Sequence, residues 1–185
     1  MLLEELQRLK DEGKLVSIFS DVNDSNNFSV GYVAGINDSH FILASITPTG
    51  EYDGFLLKEA TSIYMVSTDS RYIDKLSTLI DINKTKFDAF FGCDDLVQQL
   101  LTYAKRTATI VSVELINSGG VDCSGFVEFF NNNICKIQEI NEFGEPDGMS
   151  TISVSEITKI SCDDSNDRPV KLLNESRQQR LNKTN

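Results

Sequence analysis

Two segments of the chain carry apolar residues at the three- and four-residue spacing of an amphipathic helix. They are Leu2, Leu3, Leu6 and Leu9 near the start, and Leu96, Val97, Leu100 and Leu101 halfway along. Each is followed by five short runs rich in β-branched and aromatic residues and bounded by turn residues, which predicts strands. The predicted strands are 14–20, 28–36, 40–46, 54–58 and 62–67, then 109–115, 124–130, 134–140, 149–153 and 156–162. A further helical pattern closes each half, over 72–82 and 168–181.

The two halves are also related in sequence. Shifting the chain by 94 positions aligns residues 31–79 with 125–173, which is 49 positions without a gap, and 12 of them are identical. Composition alone would give roughly three identities, so the chain contains an internal duplication. The identical positions of the first copy are Gly31, Val33, Asn37, Ile46, Gly50, Glu51, Asp53, Gly54, Ile63, Ser67, Asp69 and Leu79. We therefore predict repeat 1 over 1–82, a connector over 83–92, repeat 2 over 93–167, and a C-terminal basic helix or tail over 168–185.

A flat sheet of five short strands would leave two unpaired edges and bury too little apolar surface. We therefore expect a mainly β chain with flanking helices, in which each repeat is a five-stranded, strongly bent small barrel preceded by an α-helix. Gly31 and Gly125 lie near the start of the second strand of each copy, where a strand can bend or a neighbouring backbone can approach closely.

This layout resembles the Sm-like family of SH3-type barrels, and the resemblance covers nearly the whole of each copy. In that family an Asp and then a large residue followed by Asn come after the strand-two glycine. Asp38 and His40 fill the first two places, but Phe41 stands where Asn is expected. The second copy has Asn132, Ile134 and Cys135 there, and the glycine motif before the last strand is replaced by Glu59-Ala60-Thr61 and Ser153-Val154-Ser155. The resemblance thus implies the fold without the residues that hold RNA in the family. The segment from Gly31 to Gly54 is also similar to small cytoplasmic proteins of low-GC bacteria.

Charge narrows the possible functions. The 185 residues include 28 acidic and 17 basic side chains, a net charge of −11, whereas a free-standing nucleic-acid binder is expected to be basic. Residues 168–185 carry +4, which leaves −15 on residues 1–167. No run approaches the roughly 18 apolar residues of a membrane helix, and the charged N-terminus is unlike a secretory signal. We expect a cytoplasmic protein that does not bind membranes.

The duplicated G-E-x-D-G at 50–54 and 144–148 is the most suggestive motif. Its carboxylates, Glu51, Asp53, Glu145 and Asp147, are candidates for a cation site or a polar docking surface. A calcium loop needs six or more oxygen ligands, however, so we favour a hairpin turn between strands three and four. We expect no metal and no cofactor.

The remaining candidates do not predict catalysis. His40 is the single histidine, and Cys93, Cys123, Cys135 and Cys162 contain no CxxC pair, so we interpret them as buried or partly buried thiols. The connector contains three phenylalanines. Either Phe90 and Phe91 form an apolar interaction surface, or Phe87, Phe90 and Phe91 seal the contact between the two copies, which we favour.

We therefore expect a non-enzymatic intracellular binding or adaptor protein, and we expect its partner to be another protein. The alternative is an RNA- or nucleic-acid-associated module that uses the loops and the basic tail. A metal-dependent enzyme ranks third. The sequence does not fix the oligomeric state or the identity of the partner.

Overall fold

The structure, a computed structural model, describes residues 2–21, 27–83 and 91–184. It divides into two compact units, Met1–Leu96 and Val97–Asn185. Helices flank the strands in both, which confirms the prediction of a mainly β chain with flanking helices. No helix within the described ranges is both long enough and apolar enough to cross a membrane.

The first unit follows the predicted order. Its elements are α1 (Leu2–Asp11), β1 (Leu15–Phe19), β2 (Phe28–Ile36), β3 (His40–Ile46), β4 (Tyr52–Glu59), a 3-10 turn (Ala60–Ser62), β5 (Met65–Ser67) and α2 (Arg71–Asn83). All strand pairs are antiparallel, in the spatial order β5-β1-β2-β3-β4. The fifth strand is shorter than predicted because residues 60–62 form the 3-10 turn.

The second unit repeats this order. Its elements are α3 (Leu96–Thr107), β6 (Ile110–Leu115), β7 (Cys123–Phe130), β8 (Ile134–Ile140), β9 (Pro146–Ser153), a 3-10 turn (Val154–Glu156), β10 (Ile157–Cys162) and α4 (Asp167–Thr184). The strand order is β10-β6-β7-β8-β9, the counterpart of the first. In the described residues no ladder joins β4 to β5 or β9 to β10, so the sheet of each unit is open. Closure into a barrel stays a prediction.

The duplicated glycines permit close backbone contacts within the sheets. A Cβ on Gly31 would overlap the carbonyl oxygen of Ala44, and one on Gly125 would overlap that of Gln138, so only glycine permits these close approaches. The register also shifts at matching places, between Val33 and Gly35 and between Val127 and Phe129. Such bulges increase local twist and bend a strand.

Two apolar clusters stabilise the first unit, one against each of its two helices. Neighbouring residues of β1 belong to different clusters because side chains alternate along a strand: Leu15 packs in one and Val16 in the other. Leu6 and Leu9 of α1 complete the Val16 cluster. Three side chains of α2 complete the Leu15 cluster: Ile73, Leu76 and Ile80.

Candidate functional site

The duplicated G-E-x-D-G motif is not a single turn. The turn between β3 and β4 covers 47–51 and so includes only the start of the motif. In it, Gly50 N–H donates to the Thr47 carbonyl at 2.9 Å and Thr47 Oγ1 accepts from Glu51 N–H at 3.1 Å. Asn141 takes the same role in the second unit, since its Oδ1 accepts from the N–H groups of Phe143 and Glu145 at 3.0 Å. Strands β4 and β9 therefore begin at 52 and 146, earlier than the predicted 54 and 149.

The Asp-Gly pair of the motif forms a bulge inside the strand. Between the paired residues Ala44–Phe55 and Ile46–Tyr52, two residues of β4 oppose one residue of β3. Gly54 has φ +76° at that point, and its counterpart Gly148 has φ +105°. A bulge of this kind needs a residue with positive φ, which explains why the glycine occurs in both copies.

The four candidate carboxylates occupy separate surroundings. Glu51 is exposed and accepts a hydrogen bond from Thr49 Oγ1 at 3.1 Å, Asp53 is half-buried, and Asp147 is exposed. Glu145 forms an ion pair with Arg177 of α4. In the parts of the chain that the structure describes, no group of three or more His, Cys, Asp or Glu side chains is arranged to hold a metal ion.

Phe91 packs inside the first unit. Its ring is 6% exposed and lies edge-on to Phe55 with 5.1 Å between centroids, and its N–H donates to the Ala34 carbonyl at 3.1 Å. A Cβ on Gly35 would meet the Phe91 side chain, so this glycine makes room for the ring. Phe91 is therefore not presented on the surface. Phe87 and Phe90 lie outside the described residues.

The histidine and three of the four thiols are at least half-buried. His40 is half-buried at the start of β3, and burial lowers its pKa against the opposing charges of Glu59 and Asp95. Burial raises the pKa of the Cys123 and Cys135 thiols to about 11 and raises that of Cys162 further. Burial therefore favours the protonated form of these three thiols, which is the less nucleophilic form. Cys93 is exposed.

Strand β9 is an exposed edge that the sequence analysis did not single out. Among the described residues it pairs with β8 alone. Val154 N–H donates to the Asn133 carbonyl at 2.9 Å, so these two residues form a hydrogen-bonded pair. Hydrogen-bonded and non-hydrogen-bonded pairs alternate along an antiparallel ladder, and this bond therefore tells which residues of β9 bond to β8. Ser150 and Ile152 face β8, so the N–H and C=O groups of Met149, Thr151 and Ser153 are directed away from it.

Beyond Pro146 and the bulge at Gly148, this edge lacks the charged side chains that discourage strand pairing. Proteins commonly guard exposed edges with charged side chains. Residues 148–155, GMSTISVS, include no charge, whereas the equivalent 54–61, GFLLKEAT, carry Lys58 and Glu59. Met149 is 53% exposed, and Thr151 and Ser153 are exposed beside it. The sequence contains a signal for this edge, because the charged Lys58 and Glu59 of the first copy align with the uncharged Ile152 and Ser153 of the second.

A partly buried polar cluster forms where the first residue of α4 meets β6 and β7. Ser112 Oγ donates to Ser124 Oγ at 2.9 Å or to the Asp167 carboxylate at 3.3 Å, and Asp167 is 8% exposed. Burial, with the charges of Asp164 and Asp163, raises the pKa of Asp167 to about 6, against a smaller opposing effect of the Ser112 hydrogen bond. We give the name polar seat of α4 to the groups that Asp167 and Asn174 of α4 meet, which are Ser112 with its partner Ser124 and the carbonyl of Gly144.

No family model matches the chain, and neither a curated protein nor a solved structure matches it.

Proposed function

We propose that this chain is a non-enzymatic, cytoplasmic protein-binding module, and that its partner contributes an extended strand to the edge of β9. The exposed, uncharged β9 edge is the observation that carries the proposal. Outward N–H and C=O groups on alternate residues form a template for strand addition, in which the backbone supplies affinity and the side chains supply specificity.

The flanks of the edge indicate the chemistry of the partner. Asp147 precedes the uncharged stretch and Glu156 follows it, and both are exposed. A strand with an uncharged centre and basic residues at its ends would complement this surface. The chain's net charge of −11 also favours a basic partner. Cysteines without disulfides suit a reducing cytoplasm.

We also propose that each unit is a small barrel related to the Sm-like family. Support comes from the helix-then-five-strand order in both copies and from Gly31 and Gly125, whose close backbone contacts accommodate a sharply bent second strand. The family's RNA-holding residues differ here, so the relationship concerns the fold.

A proline substitution tests the proposed edge. Thr151→Pro removes one outward N–H group without removing a donor to β8, and proline is tolerated at edge positions of this kind. Thr151→Ala is the matched control, because it removes the same side chain and keeps the N–H. Peptides of about twelve residues selected by display on the wild-type chain are expected to bind Thr151→Ala with unchanged affinity and Thr151→Pro at least about tenfold more weakly.

The same experiment separates the alternative functions. Equal binding to both variants, or failure to select any peptide, would contradict strand addition. Binding of single-stranded RNA that persists at roughly 200 mM salt and is lost on deleting 168–185 would support the nucleic-acid alternative instead. A thermal shift with Mg²⁺ or Ca²⁺ that disappears in Asp53→Asn/Asp147→Asn would support a metal site.

A further inference from the structure

The helices that follow the last strand of each unit are held in chemically different ways. In the first unit Ile73, Leu76 and Ile80 of α2 are buried in an apolar cluster. The duplication places Asp167, Val170 and Asn174 of α4 at these three positions. A second apolar residue is lost on the strands. In the first unit Val30 of β2 pairs with Ser17 of β1, whereas in the second unit Ser124 of β7 pairs with Ser112 of β6.

Several polar contacts join α4 to the rest of its unit. Asn174 Nδ2 donates to the Gly144 carbonyl at 2.9 Å, Lys171 Nζ donates to the Thr107 carbonyl at 3.4 Å, and Arg177 pairs with Glu145. The helix has two buried residues, Asp167 and Asn174, and both are polar.

Packing beside α4 is also incomplete. An open groove of about 390 Å³ lies where α3, β7 and one turn of α4 meet, and its lining includes Ala104, Phe126, Glu128 and Asn174. Leu172 and Leu173 of α4 are exposed rather than packed into it. The contacts that hold α4 are therefore ones that water replaces readily, whereas α2 detaches only by exposing three buried apolar side chains.

We propose that α4 is a releasable latch, which detaches from its polar seat while the strands of the second unit stay folded. Docked, it holds the β8–β9 turn, because Gly144 lies against the backbone of Asn174 and Glu145 is paired with Arg177. Release frees the residues that lead into β9. Control of partner binding by this release rests on the proposed function; the release itself does not.

Hydrogen exchange followed by mass spectrometry tests the latch without any ligand. We expect amides of 170–177 to exchange at least about tenfold faster than the equivalent 76–83 of α2, while β6 stays as protected as β1. Exchange of α4 no faster than α2 would overturn the proposal. Fast exchange confined to residues after 178 would also overturn it, because that pattern is simple fraying of a chain end.

A graft of the apolar seat provides the second test. The triple variant Ser124→Val/Asp167→Ile/Asn174→Ile copies the first-unit residues and should slow exchange of α4 to the rate of α2. Gln178→Ile/Gln179→Ile is the matched control, since it adds isoleucines at exposed positions of the same helix. A folded graft that exchanges as fast as wild type would refute the role of the seat. If the graft does not fold, the wild-type comparison of α4 with α2 still decides. Because neither measurement uses a peptide, failure of strand addition leaves this result unaffected.

Discussion

The buried carboxylate of Asp167 makes the second unit less stable as the pH rises. Its pKa is raised from 3.8 to about 6 by burial and by the neighbouring charges of Asp164 and Asp163. Below pH 3.8 the folded and unfolded states both hold the proton. As the pH rises towards 6, the unfolded state releases it first, so folding stability is lost through this window.

The size of the effect follows from the two pKa values. A shift of about two units corresponds to about 3 kcal/mol when fully developed. Linkage between the two states gives a loss of about 1.4 kcal/mol from roughly pH 5 to pH 7.5. Asp167→Asn keeps a polar group near Ser112 but cannot ionise. The variant should therefore gain stability relative to wild type by that amount over the same interval.

Urea unfolding at both pH values measures this difference. Hydrogen exchange resolved to peptides of β6 and α4 restricts the measurement to the second unit, which matters because two units need not unfold together. Carboxylates remote from Asp167 contribute equally to wild type and variant, so the difference between them reports Asp167 together with its coupling to Asp163 and Asp164. Asp147→Asn, at an exposed position, is the control and should show no comparable change.

Two results would refute this reasoning. A difference between wild type and Asp167→Asn that stays constant within about 0.3 kcal/mol across the interval would mean that the pKa of Asp167 is not raised in the folded state. A wild type that gains on the variant as the pH rises would mean that the ionised form is the stabilised one. Either result would mean that ionisation of Asp167, in the first turn of α4, does not oppose folding.

Three further predictions concern the two close-contact glycines, the Asn37 side chain, and the contrast between an exposed and a buried thiol. Gly31→Ala and Gly125→Ala should each lower the free energy of unfolding by at least about 2 kcal/mol, because the new methyl group meets a backbone carbonyl; a loss under about 0.5 kcal/mol in urea titrations would contradict this. Asn37→Ala should cost about 1–2 kcal/mol, since Oδ1 accepts backbone bonds of 2.9 and 2.7 Å; an unchanged unfolding midpoint would count against that role. Maleimide should label Cys93 in the native protein at least about 100-fold faster than Cys162; equal rates by mass spectrometry would show that Cys162 is accessible.

The order of elements was predictable because the copies check one another. A strand proposed in one half had to appear in the other, and the bounds of β2, β3 and β8 agree with the prediction. The ends of strands four and five were less accurate. A turn glycine and a bulge glycine look alike in sequence, and only the register separates Gly50 from Gly54.

The polar seat and the β9 edge were missed for a different reason. The alignment emphasised identical residues, whereas both features arise where the copies differ. Ile73 became Asp167, and Lys58 became Ile152. Such changes gain physical meaning once the register shows that Ser112 faces Ser124, or that Thr151 faces away from β8.

The position of Gly50 has a practical consequence for dividing the chain. A Cβ there would overlap Leu79 of α2, so the turn between β3 and β4 is covered by a helix about thirty residues downstream. An expressed fragment that stopped after β5 would contain every strand and still uncover this turn. Any minimal fragment of the first half should therefore extend through Asn83.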